Sequence, residues 1–214
     1  DQNIIHKNIN MAKKNLGLDK SNLKFISQTH SNKVAIIDKN NFSTSVEADG
    51  SITQDKDISL AVLTADCCPI FIYDSEINFI CCLHAGWKGC LLNIVESALK
   101  QILTIQSNVN KIFAIIGPCI NKANFEVSRD LKEQFILKDS NYDRFFTNLE
   151  NTKKTLFDMR GLIQFQFNNN MINNVYNIDL DTYENEDLFF SHRRSNHNET
   201  LPTGRMVNII GFKK

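Results

Sequence analysis

Only three prolines interrupt these 214 residues, so no Pro-rich linker divides the chain, and no internal repeat does either. We expect a single domain over residues 1–214. Net charge is also missing: Lys plus Arg and Asp plus Glu number 24 each, which leaves no long-range field to recruit nucleic acid or an anionic membrane. Small molecules are the expected partners, and any phosphate must be held by local groups. No apolar run reaches the ~18 residues of a membrane-spanning helix. The opening stretch DQNIIHKNIN has neither a basic n-region nor an apolar h-region, so the chain reads as soluble and cytoplasmic. It begins without Met, which points to a missing or processed leading segment. A disulfide framework is absent as well. The six cysteines, at 67, 68, 81, 82, 90 and 119, form two adjacent pairs and two singles, a poor scaffold for a chain long enough to have its own core, and a reducing compartment is favoured.

What is present is a globular composition, 42% hydrophobic and 22% charged, sufficient for a real core. Ile4, Ile5, Ile9, Ala12 and Leu16 recur near helical spacing and Gly17 stops them, predicting an amphipathic helix over 3–16. Residues 23–38 read as extended chain broken at His30. From residue 59 the runs LAVLT, ADCCP, IFIYD and NFICCLH read as strands buried on both faces. Leu91, Leu92, Ile94, Val95, Ala98, Leu99, Ile102 and Leu103 predict a helix starting just after Gly89, and KIFAIIG a strand after it. Strand, glycine turn, helix, strand makes parallel pairing the default. Further helices are expected at 128–138 and 156–171, and late strands at 174–180 and 205–212. The fold class is α+β, a layered mixed sheet flanked by helices.

Chemistry gathers where side chains leave the core at strand ends. His84 sits at such an end, before glycines that permit a tight turn and a helix whose free N–H groups face the same spot. Cys67 lies at the break between LAVLT and IFIYD, behind Asp66 and before Pro69. His30 lies in the polar break SQTHSNKV. Two imidazoles and a thiolate suit Zn²⁺ with one open position, or copper less selectively. Cys68 should point opposite to Cys67 in extended chain. Cys81, Cys82 and Cys90 read as small buried hydrophobes, and His6 and His197 as surface residues. For His30, Cys67 and His84, position alone leaves core packing and chemistry evenly matched.

The motifs QTHSNKV, ADG at 48–50, TADCCPI, HAGWKG, IGPCI with FEV, FFSHRRS and TGRMVNIIGF resemble those of the laccase-domain (YfiH-like) family, from about Gln28 to Phe212. Its members are described as polyphenol oxidases, purine nucleoside phosphorylases and peptidoglycan editing factors. The resemblance implies a zinc or copper site formed by His30, Cys67 and His84, and it selects Cys67 over Cys68. It also implies a layered fold shared with certain bacterial toxins built around a Cys-His pair. The implied activities are phosphorolysis of adenosine, inosine, guanosine and methylthioadenosine, and adenosine deamination. Three departures stand out. Lys88 replaces the family's usual Arg, a point charge for a planar fork. The segment NHNETLP lengthens the stretch between SHRRS and TGRM. An N-terminal region containing Arg-Gly-Gly is absent from these residues, and part of the substrate pocket is expected to be absent with it.

A four-copper laccase needs more imidazoles than the five histidines present; phenol oxidation by copper in a zinc-type site is then incidental. For phosphorolysis, Lys88, Arg193, Arg194 and the amides after Gly86 are candidates to hold phosphate, with Asp66 or Asp49 handling protons. His197-Asn198-Glu199 matches the H-x-E of zinc base deaminases, but no P-C-x-x-C follows. A metal-free cysteine hydrolase, Cys67 as nucleophile and His84 as base, is the alternative, acting on a peptidoglycan precursor. A binding domain with a structural zinc is the third reading, weakened because such sites usually have four protein ligands. Monomer and homodimer both stay open.

Overall fold

The computed structural model describes residues 2–76, 78–106 and 108–213. The chain runs through α1 (Gln2–Asn15), β1 (Asn22–Phe25), β2 (Val34–Ile36), β3 (Gly50–Thr53), β4 (Ile58–Thr64), β5 (Cys68–Asp74) and β6 (Ile80–Ala85). It continues through α2 (Trp87–Leu91), α3 (Ile94–Ile105), β7 (Ile112–Ile116), β8 (Glu126–Ser128), α4 (Arg129–Lys138), β9 (Phe146–Asn148) and β10 (Lys154–Phe157). Last come α5 (Met159–Asn169), β11 (Asn174–Asn177), α6 (His192–His197) and β12 (Met206–Ile210).

A central mixed sheet has the order β11-β7-β5-β6-β3-β2. Alternation along its middle strands builds two cores. Cys68, Ile70 and Ile72 of β5 and Cys81, Leu83 and Ala85 of β6 pack with Ile94, Val95, Ala98, Leu99 and Ile102 of α3 and Leu162, Ile163 and Phe167 of α5. Each such aliphatic side chain contributes roughly 1.5–3 kcal/mol by leaving water. The opposite face of β6, Ile80 and Cys82, packs with Ile58, Leu60 and Val62 of β4. β4 is the centre of a second sheet, β1-β4-β12, parallel to β1 and antiparallel to β12. This layering holds the loop after β1, the end of β4 and the end of β6 close together.

Three sequence expectations need correction. The helix expected after Gly89 is two helices, because Asn93 adopts a left-handed φ of 57° and caps α3 by accepting from the Glu96 N–H. The parallel pairing expected of β6 and β7 does not occur directly. β5 lies between them and is antiparallel to both, since the short β5–β6 connection favours local antiparallel pairing before the helical crossover. The helix expected from residue 156 begins at Met159, where the Asp158 side chain accepts from the Gly161 N–H at 2.8 Å, and β10 occupies the residues before it. The first helix forms and is followed by Gly17 at φ 69°, but none of its residues is buried.

Candidate metal centre and its cavities

His30 follows β1, in a loop where its own φ is 56°. Cys67 occupies the turn between β4 and β5, after Asp66 at φ 78°. His84 is on β6 opposite Pro69 of β5. The fold brings one donor atom from each within 4.8 Å of the others. The Cys67 Sγ lies 3.9 Å from His30 Nε2, and the two imidazoles meet edge to face with centroids 4.8 Å apart. Tetrahedral zinc with N and S ligands needs donors roughly 3.3–3.8 Å apart, so these three side chains would hold such an ion after a closing movement of about 1 Å.

Asp49 organises two of the three donors from a fully buried position. Its carboxylate accepts from the backbone N–H groups of Thr29, His30 and Ser31 and from the Ser31 hydroxyl, at 3.1, 3.0, 2.6 and 2.7 Å. Its Oδ1 also accepts from His84 Nδ1 at 2.8 Å. Burial alone would raise the Asp49 pKa, but the hydrogen bonds from His84, Ser31 and Thr29 outweigh it and hold the carboxyl well below the usual range. An ionised carboxylate only accepts, so His84 Nδ1 carries the proton and Nε2 is left for a ligand. A carboxylate braced in this way against a histidine is the usual support of a metal-ligating imidazole.

Gly86 supplies the space. A Cβ there would stand 3.0 Å from Cys67 Sγ and 3.1 Å from His30 Cδ2. Burial first, with nearby positive charge from Lys88 and Arg205, lowers the His30 pKa despite Asp49, which favours the neutral imidazole that can ligate. Burial, then Asp66 and Cys119, pushes the free Cys67 thiol up to about 12; a bound cation is what makes its thiolate accessible. The N and S donors, the Asp49 carboxylate behind His84 and the space cleared at Gly86 all fit zinc or copper.

Two cavities open on this site. One, of 320 Å³, is lined by Trp87, Ile120, Phe125, Met159, Asp66 and Arg193; the other, of 470 Å³, by Ile26, Gln28, Leu63, His84 and Arg205. His30, Ala65, Cys67 and His192 border both. Trp87, Phe125, His192 and Arg205 were not singled out as site residues from the sequence, although each lies within a quoted motif.

The other expected site residues have diverse fates. The Asp66 carboxylate is committed to the Thr182 and Ser191 hydroxyls and the Arg193 N–H. It fastens the C-terminal segment to the Cys67 turn, as Asp49 fastens the His30 loop to His84. The Arg194 guanidinium donates to the carbonyls of Thr182, Tyr183 and Phe189 and lines neither cavity. Arg193 does reach the smaller cavity, with its guanidinium 5.5 Å from the Phe125 ring centroid. Lys88 is exposed at the start of α2, lines neither cavity, and acts on His30 only through its charge.

Residues 1–213 match the family model for multi-copper polyphenol oxidoreductase laccase. The chain belongs to this laccase-domain family. A purine nucleoside phosphorylase of Rickettsia prowazekii is 32% identical over 188 residues, which cover 88% of this chain and 77% of that one. One of Staphylococcus aureus is 29% identical over 226 residues, covering 98% and 80%. Among solved structures, the YfiH protein of Bacillus licheniformis superposes with a TM-score of 0.84 at 28% identity, covering 96% of this chain and 80% of its own. A Neisseria meningitidis protein superposes at 0.85 with 24% identity, covering 98% and 81%, a likeness of fold. This laccase-domain chain has, among its described residues, no helix long and apolar enough to cross a membrane.

Proposed function

We propose that this chain is a metal-dependent purine nucleoside phosphorylase, with zinc or copper held by His30, Cys67 and His84. The observation that carries the reading is this N₂S donor set, braced through Asp49, with His30 and Cys67 bordering both cavities and His84 lining the larger. The relatives' names supply the substrate class. The expected substrates are adenosine, inosine, guanosine and methylthioadenosine, with adenosine deamination at the same centre.

Bound zinc supplies Lewis acidity and a water of lowered pKa. The protein's own residues supply the remainder. In phosphorolysis a phosphate oxygen bonds to the anomeric carbon, and the C–N bond breaks with its electron pair passing to the purine. The Arg193 guanidinium, held against Phe125 in the smaller cavity, neutralises the departing purine anion. In deamination, water adds to the purine carbon bearing the amino group and ammonia leaves. Asp49 keeps the His84 ring and the His30 loop in register. Asp66 keeps Arg193 at the cavity rim through the backbone N–H at 2.6 Å.

The thiol-hydrolase reading is weaker. It requires Cys67 to ionise near neutral pH without a cation, whereas burial and Asp66 push that thiol to about 12. Copper-dependent phenol oxidation remains the second reading on the family model's description. The test is metal analysis of protein purified without added metal, followed by incubation with adenosine in the presence and absence of phosphate. Ribose 1-phosphate with adenine, or inosine, is expected. Neither product from fully zinc-loaded protein would overturn the proposal.

A further inference from the structure

Phosphorolysis is a displacement at a sugar carbon, so phosphate must enter from the face opposite the departing base. A site for it needs two compartments on either side of a sugar-sized junction. The two cavities meeting along His30, Ala65, Cys67 and His192 have that form, and their linings differ in a way that assigns each an occupant.

The smaller cavity is walled by Trp87, Phe125, Ile120 and Met159, the flat apolar surround that a purine ring prefers. Its two charged lining residues are already engaged: the Asp66 carboxylate accepts from the Thr182 and Ser191 hydroxyls and the Arg193 N–H, and the Arg193 guanidinium lies over the Phe125 ring and donates to the Asn124 carbonyl. The larger cavity contains no Asp or Glu among its lining residues and one permanent cation, Arg205. Arg205 Nη1 donates to the carbonyls of Thr203 and Gly204 in its own loop, at 2.9 and 3.0 Å. Its Nε and Nη2 have no acceptor among the described residues, and no carboxylate pairs with it. Arg205 lines the same cavity as the junction residues His30 and Cys67. Loop carbonyls on one edge leave the rest of a planar fork for a bidentate oxyanion.

We propose that inorganic phosphate binds in the larger cavity through the free edge of Arg205, while the purine occupies the smaller cavity beside Trp87, so that the two approach the sugar from opposite sides. This assignment rests on the phosphorolysis reading. The proton that hydrogen phosphate gives up on becoming a sugar ester ends on the purine nitrogen, and His192, bordering both cavities, is the side chain placed to pass it. Arg205 therefore replaces Arg194 and Lys88 as the phosphate ligand.

The test varies phosphate and inosine separately in steady-state assays of metal-loaded wild type, Arg205→Ala and Arg205→Lys. Loss of a charge-assisted fork should raise the phosphate KM of Arg205→Ala roughly 10- to 100-fold, with Arg205→Lys intermediate and the inosine KM little changed. Trp87→Ala should do the reverse. A second readout is the rise in unfolding temperature caused by inorganic phosphate, expected in wild type and lost in Arg205→Ala; Arg205→Lys serves if the alanine variant is unfolded. Wild-type phosphorolysis with an unchanged phosphate KM in Arg205→Ala overturns the assignment alone. No purine release by wild type overturns the enzymatic reading, and the thermal shift then still decides whether Arg205 holds phosphate.

Discussion

A methyl group at Gly86 would test the donor set without touching a donor. The backbone there has φ −86° and ψ 177°, a conformation open to any residue, so Gly86→Ala introduces no strain of its own. Ala is a poorer N-cap than Gly for α2, while the substitution also restricts the unfolded chain; each effect is worth about 1 kcal/mol or less, and they oppose. Folding stability should therefore change little. The new Cβ is another matter. It would lie 3.0 Å from Cys67 Sγ and 3.1 Å from His30 Cδ2, about half an ångström inside ordinary van der Waals contact for carbon. Both donors must retreat, and metal–ligand bonds tolerate only about 0.2 Å. Misplacing ligand geometry costs roughly 10- to 100-fold in metal affinity, or about 1.4–2.7 kcal/mol. Competition of wild-type and variant protein with a chromophoric chelator measures this directly, with circular dichroism to confirm the fold. Wild-type affinity in a folded Gly86→Ala would refute the reasoning, because sulfur and imidazole would then not be bound jointly to one ion at that spot.

Asp49→Asn should weaken metal binding roughly 10-fold or more by removing the anion behind His84. It should also flatten the acid limb of the stability curve. The Asp49 pKa is depressed on folding, so its contribution is complete above the ordinary value of 3.8 and fades as pH falls through the lower folded value; urea midpoints measured between pH 6 and pH 2 would show it, and an unchanged acid limb would count against the network. Arg194→Ala should destabilise by about 1–3 kcal/mol through three stranded carbonyls, with the nucleoside KM unmoved; a rise in KM at unchanged stability would restore Arg194 to the substrate site. In metal-free protein, iodoacetamide should modify Cys67 slowly at pH 8, its rate climbing toward pH 12 with the thiol's ionisation. A rate plateau near neutrality, read by mass spectrometry, would favour the thiol-hydrolase reading.

How much of this was legible in the sequence depended on the range of the interaction concerned. β4, β5 and β6 were readable because their apolar runs and turn residues are local, and His30, Cys67 and His84 were readable as candidates because each stands at a break in such a run. Their convergence was not. It depends on β4 sitting in a second sheet against the face of β6 that carries Ile80 and Cys82, a pairing of faces that no short window contains. The acidic residues show the same limit more sharply. Asp49 and Asp66 looked like proton carriers because carboxylates beside imidazole and thiol often are. Their actual partners lie up to 127 positions away along the chain, and only those partners reveal that both side chains are fully occupied as acceptors. Arg193 and Arg194 make the case in adjacent residues. Successive positions at the start of α6 point about 100° apart, so one guanidinium reaches the purine-sized cavity while its neighbour turns back to the carbonyls of residues 182, 183 and 189. Identical chemistry in consecutive letters was divided by helix geometry alone. Arg205, chemically no different, is distinguished by the cavity beside it, whose lining includes no Asp or Glu to pair with its fork. A basic residue becomes a candidate for an anion when its own protein leaves part of its fork unsatisfied, and that property belongs to the folded chain.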